Sequence, residues 1–390
     1  MCNCFKYVPV LLIVGSIANF LSEGPVFANS LDVENTLANS TLHELDQASV
    51  THASVDLAGE AGLLLVRKVE MAIDEETPGI GSVGWMAITR DSTIVLTDRV
   101  GGRAHEFSAV NGDYIRLFGR IGSGPGEYRS ADFVALDRKD HVYITDRVSA
   151  QILRYERNGK YLDRTRFLGG CQVLTGRRDE LFSLRVNRRS IVELERRDAQ
   201  TWMVLHRTPL SSQKQGFISS YMRNLVMMCY NSTLNRMYYL GPNDYRIKVI
   251  DAETNAVIRE FGMEPGGYRP LPEKYHGVRR RTDEERRHLL VEMTCLRSMT
   301  LVQDRYLVVS HLTLALASIS WVVYDLGSED GIRAYTFDHA ASRHLASFGY
   351  NATPIASTGS YLYLWRAPST EVAETSNGTV EIFALSIRAS

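Results

Sequence analysis

The 390-residue chain has no excess charge of either sign: 44 Lys and Arg stand against 45 Asp and Glu. It therefore has no global field that would draw it to nucleic acid or to an anionic membrane surface. Cysteine is scarce, at five residues, and two of these, Cys2 and Cys4, precede the first apolar run. Cys171, Cys229 and Cys295 remain, too few for a disulfide framework, so the core must hold the fold. Metal-binding spacings such as HxH, HExxH or paired CxxC are missing as well. Long apolar runs are also missing. The longest, Tyr7 to Phe20, falls short of the roughly 20 residues that span a bilayer.

That short run has the pattern of an export signal, with Lys6 before it and Val26-Phe27-Ala28 after it. We therefore expect a signal peptide over 1–28 and no stable membrane span after cleavage. Residues 29–62 are polar and lack sustained periodicity, which predicts a flexible leader. The expected location is extracytoplasmic: periplasmic, cell-surface or secreted.

The strongest signal is internal repetition. WMAITRDSTIVLTDRV (85–100) aligns without a gap to FVALDRKDHVYITDRV (133–148), an offset of 48 with six of sixteen positions identical. Each unit holds four short runs rich in β-branched and aromatic residues, too short for helices and separated by turns. Weaker copies follow, and the first turn recurs at Asp91, Lys139, Arg178, Thr233, Asp304 and Gly359, which makes six units. The sixth stops one strand short, while Leu63 to Ala72 belongs to no unit. A ring left open would expose strand edges. The expected fold over 63–390 is thus all-β: a six-bladed β-propeller of four-stranded antiparallel blades, the N-terminal strand completing the last blade. One helical insertion is expected near residues 263–294, opened by the capping box Thr282-Asp283-Glu284-Glu285.

The segment from Gly122 to Leu162 (GSGPGEYRSADFVALDRKDHVYITDRVSAQILRYERNGKYL) resembles the six-bladed propellers of exported bacterial proteins related to the NHL repeat. The resemblance covers roughly residues 85–168. It implies the fold and export, and it carries over no catalytic residue. The Gly122–Gly126 run lacks the Lys-Ser/Thr ending of a phosphate-binding loop and reads as a tight connection between blades.

In such a fold ligands meet the loops that gather at one end of the channel. This selects Arg99, Arg129, Arg147, Arg188, His311, Trp365 and Arg366 as candidate ligand-binding residues. Guanidinium forks suit carboxylate, sulfate or phosphate. Arg99 and Arg147 repeat with the blades and can instead serve turn geometry, whereas Arg188 and Arg366 break the repeat. The expected function is an exported binding or interaction module for a peptide, glycan or partner protein on the loop face, with no nucleic acid. The alternative is a metal-dependent propeller hydrolase, lactonase or lyase at the channel mouth, with His311, His339 and His344 as ligands and His276 or His288 joining them. No cofactor is expected for the first reading. The second requires a calcium or zinc ion.

Overall fold

The computed structural model describes residues 50–389 except 73–78, 168–171, 187–190, 211–226, 242–244, 271, 276–281, 314–317, 328–330, 338–340, 343–354 and 369–375. Two N-terminal strands, β1 (Thr51–His52) and β2 (Val55–Ala72), precede the first unit. Blade I consists of β3 (Val83–Ile88), β4 (Thr93–Asp98), β5 (Arg103–Ser108) and β6 (Tyr114–Leu117). A short parallel pair, β7 (Arg120–Ile121) and β8 (Glu127–Tyr128), leads into blade II. Blade II runs β9 (Phe133–Leu136), β10 (Val142–Asp146), β11 (Gln151–Tyr155) and β12 (Tyr161–Arg166). Blade III has β13 (Val173–Thr175), β14 (Glu180–Val186), β15 (Val192–Asp198) and β16 (Val204–Pro209). Blade IV has β17 (Met227–Asn231), β18 (Arg236–Leu240), β19 (Ile247–Asp251) and β20 (Val257–Phe261). After helix α1 (Asp283–Glu292), blade V follows with β21 (Thr294–Val302), β22 (Tyr306–Thr313), β23 (Ser318–Asp325) and β24 (Ile332–Phe337). Blade VI has β25 (Ile355–Thr358), β26 (Tyr361–Arg366) and β27 (Ser376–Ala389).

Each blade is an antiparallel meander, and β2 supplies the missing fourth strand of blade VI. Leu64 pairs with Ala384, Leu65 with Phe383 and Arg67 with Ile382. Among the described residues six buried clusters fill the six gaps between neighbouring blades. The cluster between VI and I, with Val69, Met71, Val380, Met86 and Phe107, closes the ring from the core side. Burial of such side chains is worth about 1.5–3 kcal/mol each, so each gap acts as a separate seam.

The leader expected over 29–62 is shorter than the sequence suggests. Its first part, to residue 49, lies outside the described residues, but from Thr51 the chain is strand. Thr51 and His52 pair in parallel with Arg259 and Glu260 of blade IV. Val55 to Ala61 pair in parallel with Ile332 to Phe337 of blade V. Apolar periodicity does not drive this pairing, since Leu57 stays 59% exposed. The outer edges of two blades offer unpaired amides and carbonyls, and backbone bonding captures a polar segment that no side-chain pattern marks.

The capping box forms as expected. The Thr282 amide donates to Glu285 Oε2 at 2.8 Å, and the Glu285 amide donates to Thr282 Oγ1 at 3.2 Å. Met293, just past the helix, is fully buried between blades III and IV and ties the insertion to the ring.

Candidate functional site at the channel mouth

The Thr-Asp-Arg triplet that ends the second strand in blades I and II builds one rim of the mouth. In blade I, Thr97 Oγ1 accepts from the Trp85 amide at 2.9 Å and donates to the Asp132 carbonyl at 3.0 Å. In blade II, Thr145 Oγ1 accepts from the Phe133 amide at 3.0 Å, 48 residues on. Asp98 is fully buried and accepts from the amides of Gly81, Ser82 and Val100. Asp146 likewise takes the amides of Arg129 and Ser149. Both aspartates cap turn amides. They leave the following residue, Arg99 or Arg147, at the mouth.

The first strands supply the facing positions. Gly84 is the extra residue of a β-bulge, because Val83 pairs with Asp98 and Trp85 with Thr97. Arg99 lies against it: a Cβ on Gly84 would meet Arg99 Cγ at 2.7 Å and Nε at 2.8 Å. The equivalent of Gly84 in blade II is Asp132, 7% exposed. It accepts the Arg147 amide at 2.9 Å, with Arg147 Nε 3.6 Å from its other oxygen. In blade V the same bulge recurs between Leu296 and Ser298, so the extra residue is Arg297. Bulges re-aim side chains, and this one adds a third guanidinium to the mouth.

Charge and burial act together here. Burial pushes the Arg99 guanidinium down to about 10 against the pull of Asp132, and the charges of Arg297 and Arg147 push it further the same way. Burial also lowers Arg297. Asp132 is raised by burial, although Arg147 and Arg99 both draw it down. Beneath this layer Trp85 meets Phe133 edge to face at 5.1 Å. Trp85 packs both on the core between blades I and II and on that between IV and V. It thus reaches across the axis, and the mouth has an aromatic floor.

The other candidates lie elsewhere. Arg129 is exposed and contributes its backbone amide to the Asp146 cap. Arg188 lies outside the described residues, as do His276, His339, His344 and Cys171. His311 is 1% exposed, packed on the Tyr245 ring at 4.9 Å, and burial lowers it to about 4. It is therefore neutral. Trp365 does not present its indole to solvent: it is 4% exposed, inside the seam between VI and I, over Gly378. Arg366 donates to Glu381 Oε1 at 3.0 Å, and Glu381, 1% exposed, also holds Lys68 at 3.2 Å. Arg366 thereby ties β26 and β27 to the borrowed strand.

Among the described residues no group of three or more His, Cys, Asp or Glu is arranged to hold a metal ion. Cys229 and Cys295 are buried and free, and burial raises both thiols, Cys295 to about 11. The amides of Ser123 and Gly124 in the Gly-rich loop are already bonded to Glu127 Oε2, at 2.9 and 2.7 Å. On the opposite face a hollow of about 490 Å³ between blades I and II is lined by Asp91, Arg116, Lys139, His141, Glu156 and Arg157. Arg116 and Arg157 are there engaged with buried Glu106, and Arg157 with Asp91 as well.

Residues 76–188 match the family model described as 6-bladed beta-propeller. The chain is a six-bladed β-propeller. A Bacteroides fragilis protein described as exported superimposes on this propeller with a TM-score of 0.58 at 12% identity, covering 87% of this chain and all of its own. A member of the duf4221 family from Bacteroides vulgatus gives 0.56 at 10% identity, covering 85% and 99%. At such identities the likeness shows the fold alone. No curated protein matches the chain. Among the described residues no helix is long and apolar enough to cross a membrane.

Proposed function

We propose that this propeller is exported and works as a binding module, taking a peptide, glycan or partner protein on its loop face with the channel mouth as the anchor. One observation carries the reading: Arg99, Arg147 and Arg297, from three blades, stand at equivalent rim and bulge positions beside the Trp85–Phe133 ring pair. Rigid strands position these side chains, as precise recognition requires.

A pull-down from the extracytoplasmic fraction tests the reading. The wild-type protein should capture a defined partner that the double variant Arg147→Ala/Arg297→Ala fails to capture. Undiminished capture by the folded double variant would move the binding surface away from the mouth. Stoichiometric calcium or zinc in the purified protein would replace the reading with a metal-dependent enzyme.

A further inference from the structure

Resting on the mouth as the binding site, we infer that the group it accepts is an oxyanion, namely a carboxylate, sulfate or phosphoryl group, held by Arg99, Arg147 and Arg297 in competition with Asp132.

Each of the three arginines is aimed by a backbone device that would keep its place without a ligand. Arg99 and Arg147 follow aspartates locked onto turn amides, and the Arg99 amide is itself bonded to the Ser82 carbonyl at 2.8 Å. Arg297 occupies the bulge position of the channel strand, where blade I has a glycine and blade II an aspartate. All three are half-buried. Burial opposes the charged form of both Arg99 and Arg297, and the charges of Arg297 and Arg147 oppose it further at Arg99. An incoming anion relieves that opposition, and guanidinium forks meet planar or tetrahedral oxyanions through paired N–H donors. Asp132 already occupies part of this space, against the Arg147 amide and within the field of Arg99. It therefore acts as an internal competitor that an arriving oxyanion displaces or shares.

The experiment is calorimetric titration of the full mature protein with sodium phosphate, sulfate, succinate and acetate, one at a time, at fixed pH and ionic strength. At least one should bind saturably, and the ranking among the four separates phosphoryl or sulfate recognition from carboxylate recognition. Arg147→Ala and Arg297→Ala should each weaken that binding at least tenfold. Arg297→Lys should fall between wild type and the alanine variant, because it keeps the charge and loses the fork. Asp132→Asn should tighten binding severalfold, the opposite sign to any variant that merely damages the blade. No saturable binding by any probe would overturn the inference. So would unchanged affinity in Arg297→Ala and Arg297→Lys at wild-type melting temperature, or weaker binding in a folded Asp132→Asn protein. Partner capture without binding of any probe would sink the oxyanion inference and leave the mouth reading standing. Oxyanion binding at these arginines, with partner capture untouched by their loss, would do the reverse.

Discussion

Blades I and II repeat so closely that they align without a gap, whereas blade V shares their register and almost none of their rim chemistry. In I and II the second strand ends Thr-Asp-Arg, with the aspartate tying down turn amides and the arginine turned to the mouth. In blade V the paired positions are Ser310, His311 and Leu312. Ser310 keeps the threonine's place and bonds Ser298 Oγ at 2.6 Å. His311 is a neutral ring packed on Tyr245, and the arginine has moved to the first strand as Arg297. The lesson is positional. Blade geometry constrains what is repeated, and the mouth acquires Arg297 at a rim where that constraint is satisfied differently.

Breaking the ring itself should give the largest effect. Deleting residues 63–72 removes the strand that pairs with β27 along its length and takes Val69 and Met71 out of the closing seam. No cooperative unfolding transition should remain by calorimetry. Deleting 29–49 should leave the transition in place, and extending that deletion to 61 should cost an intermediate amount, since it strips the parallel pairings on blades IV and V.

Acid should act next. His105 and His311 are buried, and burial lowers each to about 4 from an ordinary 6.5. Between those values the unfolded chain binds protons that the folded chain excludes, so stability falls as pH drops through this window. The full effect is on the order of 3 kcal/mol per histidine at and below pH 4. Denaturant titrations at pH 7.5 and 4.5 check it; a midpoint that does not fall at the lower pH would refute it. The variant His105→Phe should flatten the dependence.

The comparison sharpens at the caps. Asp98→Ala leaves three amide donors without their acceptor and should cost about 2 kcal/mol, with Asp98→Asn milder. Arg297→Ala leaves the strand pairings of blade V in place, because the bulged residue is outside the ladder, and should cost less than Asp98→Ala. A large loss there would make Arg297 a structural part of blade V and not of the mouth.

Much of this architecture was legible in the sequence, for identifiable reasons. Alternation and turn residues set the strand count, and the orphan segment Leu63–Ala72 announced the closure. Residues 51–61 were misread because backbone pairing on a neighbour's edge needs no apolar pattern. Trp365 was selected by its place at a strand end and Arg366 by departing from the repeat as well. The departure has a local cause in blade VI, where Gly378 makes room for the indole and the borrowed strand brings Lys68 beside Glu381. Arg297 falls outside a selection drawn from loops because it lies within a strand, β21. The available signal was a lone arginine between Leu296 and Met299 in an otherwise apolar strand. The bulge that turns it to the mouth is a property of pairing with β22, which periodicity does not encode.

The borrowed strand also sets an order of events. Leu64 finds its partner Ala384 320 positions later along the chain, a separation that makes loop closure costly and folding slow. Until that distant stretch arrives, an edge bearing Leu64, Leu65 and Val66 is left uncovered while the other blades assemble, a template for any passing strand. Dilution, or a companion that shields this one ribbon, should therefore govern the yield of refolded protein more than any property of the finished ring.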